Sequence, residues 1–107
     1  MVAEPVVRSV RRYLQALGEA GIEPSFAVLF GSWARGTQDR WSDIDLVVVA
    51  PALEGGADAH SLRVLWLVAA RTDSRIEPIP CGDRQWELDT TSLVLEVARR
   101  EGIRIAA

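Results

Sequence analysis

Two aspartates one residue apart, Asp43 and Asp45, stand at the head of an apolar run in DIDLVVVA. Alternate residues of a strand point to the same face, so both carboxylates should project together, with Cα atoms about 6.5–7 Å apart. Two like charges so close repel one another unless a cation neutralises them. An oxygen-only pair suits Mg²⁺, which also recruits phosphate oxygens. Ile44 and Leu46 point the other way, towards a core. Val47 and Val49 continue the aspartate face as apolar residues, which confines the charge to one end of the strand. Alone, a D-x-D before an apolar run describes a solvated strand start equally well.

Upstream, Gly31 and Ser32 end a second apolar run, SFAVLFGS. Glycine there lets backbone N–H groups approach a ligand, and the Ser32 hydroxyl can donate to a phosphate oxygen. A short helix beginning near Ser32 would add its free N–H groups. Gly36 follows, and Arg35 between them could place a guanidinium against a triphosphate or simply lie in solvent. Arg40 is the weaker candidate. No GK[ST] follows the turn, so this is not a P-loop.

The elements that must position these residues follow from periodicity. Val6, Val10, Tyr13, Leu14 and Leu17 recur at helical spacing, which predicts an amphipathic helix from about Pro5 to Leu17, ended by Gly18 and Gly21. Two strands follow, SFAVLFGS and DIDLVVVA, then a loop at Pro51 and EGGAD. AHSLRVLWLVAARTD is long enough for a helix. Its stretch from Val64 to Ala70 is apolar nearly all round, so it is either sandwiched or lies in an interface. RIEPIP reads as a third strand and CGDRQWELD as loop. TTSLVLEVARREG reads as a helix capped between Asp89 and Ser92 and stopped at Gly102, and IRI as a last short strand. The order α-β-β-α-β-α-β predicts a mixed α/β (α+β) fold, a small mixed sheet with flanking helices, in one domain over 1–107.

Composition narrows the partners. The chain of 107 residues has a net charge of −3, which argues against nucleic acid. All 12 basic residues are arginines. One cysteine, Cys81, and one histidine, His60, leave no material for a disulfide or a Cys/His metal site, and a reducing cytoplasmic setting fits. No run approaches the roughly 18 residues of a membrane span. Arginines interrupt the N-terminal apolar residues, unlike a secretory signal.

Taken together, G-S-x-x-x-G-x₆-D-x-D between two apolar strands resembles the minimal nucleotidyltransferases of the DNA polymerase β-type superfamily. The resemblance spans most of the chain. It implies that Gly31 and Ser32 bind phosphate, with Arg35 and Gly36 beside them, and that Asp43 and Asp45 hold metal. It also implies a third acid on a neighbouring strand, for which Glu77 in RIEPIP is the candidate and Asp73 the runner-up. The family often has aspartate there, and Pro78 beside Glu77 points to a strand that is ending or at an edge. The implied reaction is transfer of a nucleoside monophosphate to a hydroxyl, with pyrophosphate released, two Mg²⁺ ions as cofactor and ATP as the nucleoside triphosphate substrate. The chain is too short to carry acceptor-gripping domains. Stand-alone relatives are often antitoxins that transfer AMP to a tyrosine of a HEPN-type ribonuclease toxin. The apolar helix over 62–70 offers a surface for such a partner or for a second copy. Two alternatives are a binding antitoxin with a weakened site, and nucleotidyl transfer to a small molecule such as an aminoglycoside.

Trp33 and Trp41 flank the motif and could stack on a base or pack; Trp66 reads as core or interface. Tyr13, the one tyrosine, reads as a packing residue rather than a self-modification acceptor. His60 reads as a helix start and Cys81 as packing beside a strand end.

Overall fold

The structure, a computed structural model, describes residues 3–39 and 41–107. Helix α1 (Glu4–Glu19) buries Val6, Val10, Tyr13, Leu14 and Leu17, the stripe that its spacing dictates. Full burial of each such side chain is worth about 1.5–3 kcal/mol. The chain then forms β1 (Phe26–Phe30), a single-turn helix α2 (Ser32–Arg35) and β2 (Ile44–Val49). After a 3₁₀ turn at Pro51–Leu53 come α3 (Ala59–Thr72), β3 (Ile76–Cys81), α4 (Asp83–Leu88), α5 (Leu93–Glu101) and β4 (Ile103–Ala106). Asp58 caps α3 by accepting from the Ser61 N–H at 2.7 Å, and Ser92 caps α5 by accepting from Leu95.

One four-stranded sheet runs in the order β3-β2-β1-β4. β1 is antiparallel to both β2 and β4, and β2 is parallel to β3. The sheet separates two cores. On one face Ile44, Leu46 and Val48 pack with residues of α1 and α3. On the other, Val28, Val47, Val49 and Cys81 pack with Leu95 and Ala98 of α5. The mixed α/β class, the strands and the long helices stand as the sequence implies.

The segment CGDRQWELD departs from the loop expected of it, since Asp83–Leu88 is helical. Apolar periodicity is absent over so few residues, and none of them is buried. Side-chain chemistry starts this helix instead. The Gln85 side chain accepts from the Gly82 N–H at 3.3 Å, and Asp83 accepts from the Ser25 hydroxyl at 2.7 Å. Arg99 of α5 donates to the carbonyl of Trp86 and stacks over its ring at 5.0 Å, which seats the helix.

Strand β3 is an edge strand, as Pro78 suggests, but its prolines cost no ladder bond. Ile44 N–H donates to Arg75 C=O and Ala50 N–H to Cys81 C=O, so the odd-numbered residues of β3 face β2. Pro78 and Pro80 fall on the outward positions. Among the described residues, no helix is long and apolar enough to cross a membrane.

Candidate active site

Register brings the acids together. Asp45 pairs with Glu77 across the parallel β2–β3 ladder and with Phe30 across the antiparallel β1–β2 ladder. Paired residues share a face, so Asp45 and Glu77 project side by side, with Asp43 just before the strand on the same face. The α5 helix covers Val47 and Val49 on this face. Asp43 and Glu77 remain exposed and Asp45 is half-buried. A cavity of about 760 Å³ between α1 and the C-terminal residues is lined by none of these acids. The carboxylates therefore stand on an open shelf.

Their electrostatics match that crowding. Burial and then the charge of Asp43 push the Asp45 carboxyl above its usual range, while Glu77 and Arg35 pull the other way. Glu77 is also raised, by burial first and then by Asp43 and Asp45. Asp73, the alternative third acid, behaves oppositely. Arg75 clamps it through Nε at 3.0 Å and Nη2 at 2.8 Å, and holds its carboxyl below the usual range. An acid occupied by a guanidinium is not free for a cation, so Asp73 leaves the candidate set.

The glycine-serine turn lies against Asp45. Gly31 has φ +75°, a backbone region that L side chains rarely adopt, and a Cβ there would collide with the Asp45 carboxylate. Both constraints select glycine. Gly31 precedes α2 and its carbonyl accepts from Ala34 and Arg35, and Gly36 closes the turn at φ +77°. Ser32 is the first residue of α2, where helix N–H groups lack partners within the helix. Arg35 pairs with Glu101 of α5 at 3.6 Å while lowering the pKa of Asp45. Arg40 lies outside the described residues.

A divalent cation fits this site by chemistry: the donors are all oxygen, and a cation would relieve the repulsion that adds to burial in raising Asp45 and Glu77. Among the described residues, no three Asp, Glu, His or Cys side chains are placed to hold a metal ion as they stand.

Other residues resolve as packing or surface. Tyr13 is fully buried, donates to the Leu65 carbonyl at 3.0 Å and has its pKa raised by burial, which removes it as a modification acceptor. Cys81 is buried, and burial pushes its thiol up to about 11. Trp66 is 48% exposed beside the exposed Leu62 and Leu67, so α3 packs one apolar side, with Leu65 and Ala69, into the core and turns a second outward. Trp41 is exposed, whereas Trp33 is buried and donates from Nε1 to the Ser42 carbonyl at 3.3 Å. Arg75 lies over the Trp33 ring, 5.3 Å from its centroid. No sequence pattern joins Trp33 to Arg75; only the fold does.

The chain resembles several solved structures. A toxin-antitoxin crystal structure with AMP-PNP matches at 25% identity and TM-score 0.61, covering 92% of this chain and 71% of that one. A mutant of the toxin-antitoxin MntA-HpeT matches at 23% identity and TM-score 0.60, covering 92% and 71%. A candidate nucleotidyltransferase from Sulfolobus solfataricus matches at 14% identity and TM-score 0.62, covering 92% and 77%. No curated protein matches. The family model of the nucleotidyltransferase domain matches residues 7–90, a span that holds the glycine-serine turn and all three acids. The chain belongs to the nucleotidyltransferase domain family.

Proposed function

We propose that this chain transfers AMP from ATP to a tyrosine hydroxyl of a HEPN-type toxin and acts as its antitoxin. The observation that carries the chemistry is the register of Asp45 with Glu77, beside a Gly31 whose missing side chain leaves room for the Asp45 carboxylate. Asp43, Asp45 and Glu77 would hold Mg²⁺, two ions in the full site. When bound, the metal neutralises the triphosphate and the developing charge on the attacking and leaving oxygens. The chain's own residues supply position. Gly31 and Ser32 offer backbone N–H groups and a hydroxyl to the phosphates, and Gly36 lets the turn close over them. Arg35, beside Asp45, adds a guanidinium within reach of the same charge. Glu77, paired with Asp45 across the ladder, would help activate the acceptor hydroxyl. Pyrophosphate leaves as the new phosphoester forms. The 25%-identical relative crystallised with AMP-PNP supports a nucleotide substrate, and its being a toxin-antitoxin supports the partner class.

A second reading rests on α3. Its exposed Leu62, Trp66 and Leu67 support a partner-binding face that neutralises by occlusion alone. The experiment separates the two. Purified protein, ATP, Mg²⁺ and the product of the adjacent gene are incubated, and the partner is weighed by mass spectrometry. Transfer predicts the increment of one adenylyl group, lost with Asp45→Asn. If the partner is neutralised unmodified, and Asp43→Ala and Asp45→Ala neutralise equally well, occlusion is the mechanism.

A further inference from the structure

The two halves of the site meet at Gly31 and Asp45, at the end of the β1–β2 ladder, while Ser32 and Asp43 lie beyond that ladder. The phosphate-facing turn rides on α2, a single turn of helix, and Asp43 lies before β2 begins. One side chain touches both. Trp33 follows Ser32, and its indole N–H donates to the carbonyl of Ser42, the residue before Asp43. The ring is buried, and its face is covered by the Arg75 guanidinium.

Arg75 is itself fixed on three sides. Its backbone N–H and Nε donate to Asp73 Oδ1 at 3.1 and 3.0 Å, and Nη2 donates to Oδ2 at 2.8 Å. Its carbonyl accepts from the Ile44 N–H at 2.8 Å, at the start of the β2–β3 ladder. Ser9, a buried residue of α1, adds a small further lowering of the Asp73 carboxyl. A chain of contacts thus runs from Asp73 through Arg75 at the β3 entrance to the Trp33 ring of α2.

We infer that Trp33 is a positioning residue that buckles the glycine-serine turn to the carboxylate strand, with Arg75 holding its ring in place. The inference rests on the reading of this turn as the phosphate site. Ser32 and Asp43 must address one triphosphate, and α2 is too short to hold its own orientation by helix propensity. Trp33 fixes their separation without touching substrate.

The test compares Trp33→Phe, which keeps a buried ring but removes the N–H, with Arg75→Gln and wild type. Amide hydrogen exchange reads Ala34, Arg35 and Thr37, whose N–H groups close the α2 turn, with Val48 in the sheet as internal control. Both variants are expected to exchange about fivefold faster at the α2 amides, the effect of one hydrogen bond or cation–π contact, with Val48 unchanged. MgATP affinity measured by calorimetry should weaken by a similar factor. Unchanged α2 exchange in both variants overturns the inference, as does a Trp33→Phe chain that behaves as wild type while only Trp33→Ala loosens the turn, since that is packing alone. A wild-type chain that fails to bind MgATP refutes the reading of the phosphate site instead, and the exchange data still decide the buckle.

Discussion

An acidic cluster and a lone aspartate sit near the same end of the sheet, and their pKa values are shifted in opposite directions. Asp45 and Glu77 are raised, by burial first and then by neighbouring carboxylates; Asp73 faces Arg75 and is lowered. The difference lies in what each acid is given to bind. Asp73 is completed from within the chain and serves the architecture. Asp43, Asp45 and Glu77 have no such guanidinium clamp, which suits the proposed site for a ligand that carries the balancing charge.

The contrast is broken most severely at Asp45. Replacing it with Asn should cut nucleotidyl transfer by at least about a hundredfold, because a metal-facing charge is lost. The same change should leave the apo protein's melting temperature unchanged or higher, since it removes a repelled charge. A large loss of apo stability would place Asp45 among the structural acids. At Asp73 the outcome should invert. Asp73→Asn removes charged hydrogen bonds and should cost about 1.5–3 kcal/mol in denaturant unfolding. The variant's residual folded fraction should still turn over.

The pH dependence sharpens this further. The folded pKa of Asp73 is depressed, so its contribution is present above the ordinary aspartate range and is lost as pH falls through the folded value. The unfolding gap between wild type and Asp73→Asn should therefore close in acid. The folded pKa values of Asp45 and Glu77 are raised, so the folded state binds more protons just above the ordinary carboxylate range. Stability should fall as pH climbs through that window, and Asp45→Asn should flatten the fall. The smallest effect is expected on α3. Trp66→Ser should change unfolding by no more than about 0.5 kcal/mol while weakening capture of the partner toxin, measured by calorimetry.

Much of this was legible in the sequence because periodicity is a local signal. The apolar stripe of α1, the alternation of β2 and the glycine-serine turn each follow from residues within a few positions of one another. Glu77 could be proposed from its strand, and its juxtaposition with Asp45 required the parallel register. Helix α4 was hidden because its start depends on Ser25 and Gln85 rather than on an apolar stripe. The removal of Asp73 from the candidate acids depended on Arg75 two residues later, in a geometry that a helix-to-strand bend creates. The Trp33–Arg75 contact joins elements that are remote in sequence, and no pattern announces such a pair.

Pro78 and Pro80 have a consequence for how this chain can keep company. An edge strand ordinarily offers a row of outward N–H groups on which another strand can polymerise. On β3 two of those positions carry no hydrogen to donate, so sheet extension from this side is blocked without loss of internal pairing. Glu77 can then stay exposed between hydrophobic neighbours with little risk of being buried by aggregation at high concentration. Recruitment of another protein is steered away from strand addition on this edge and towards side-chain recognition on the helices.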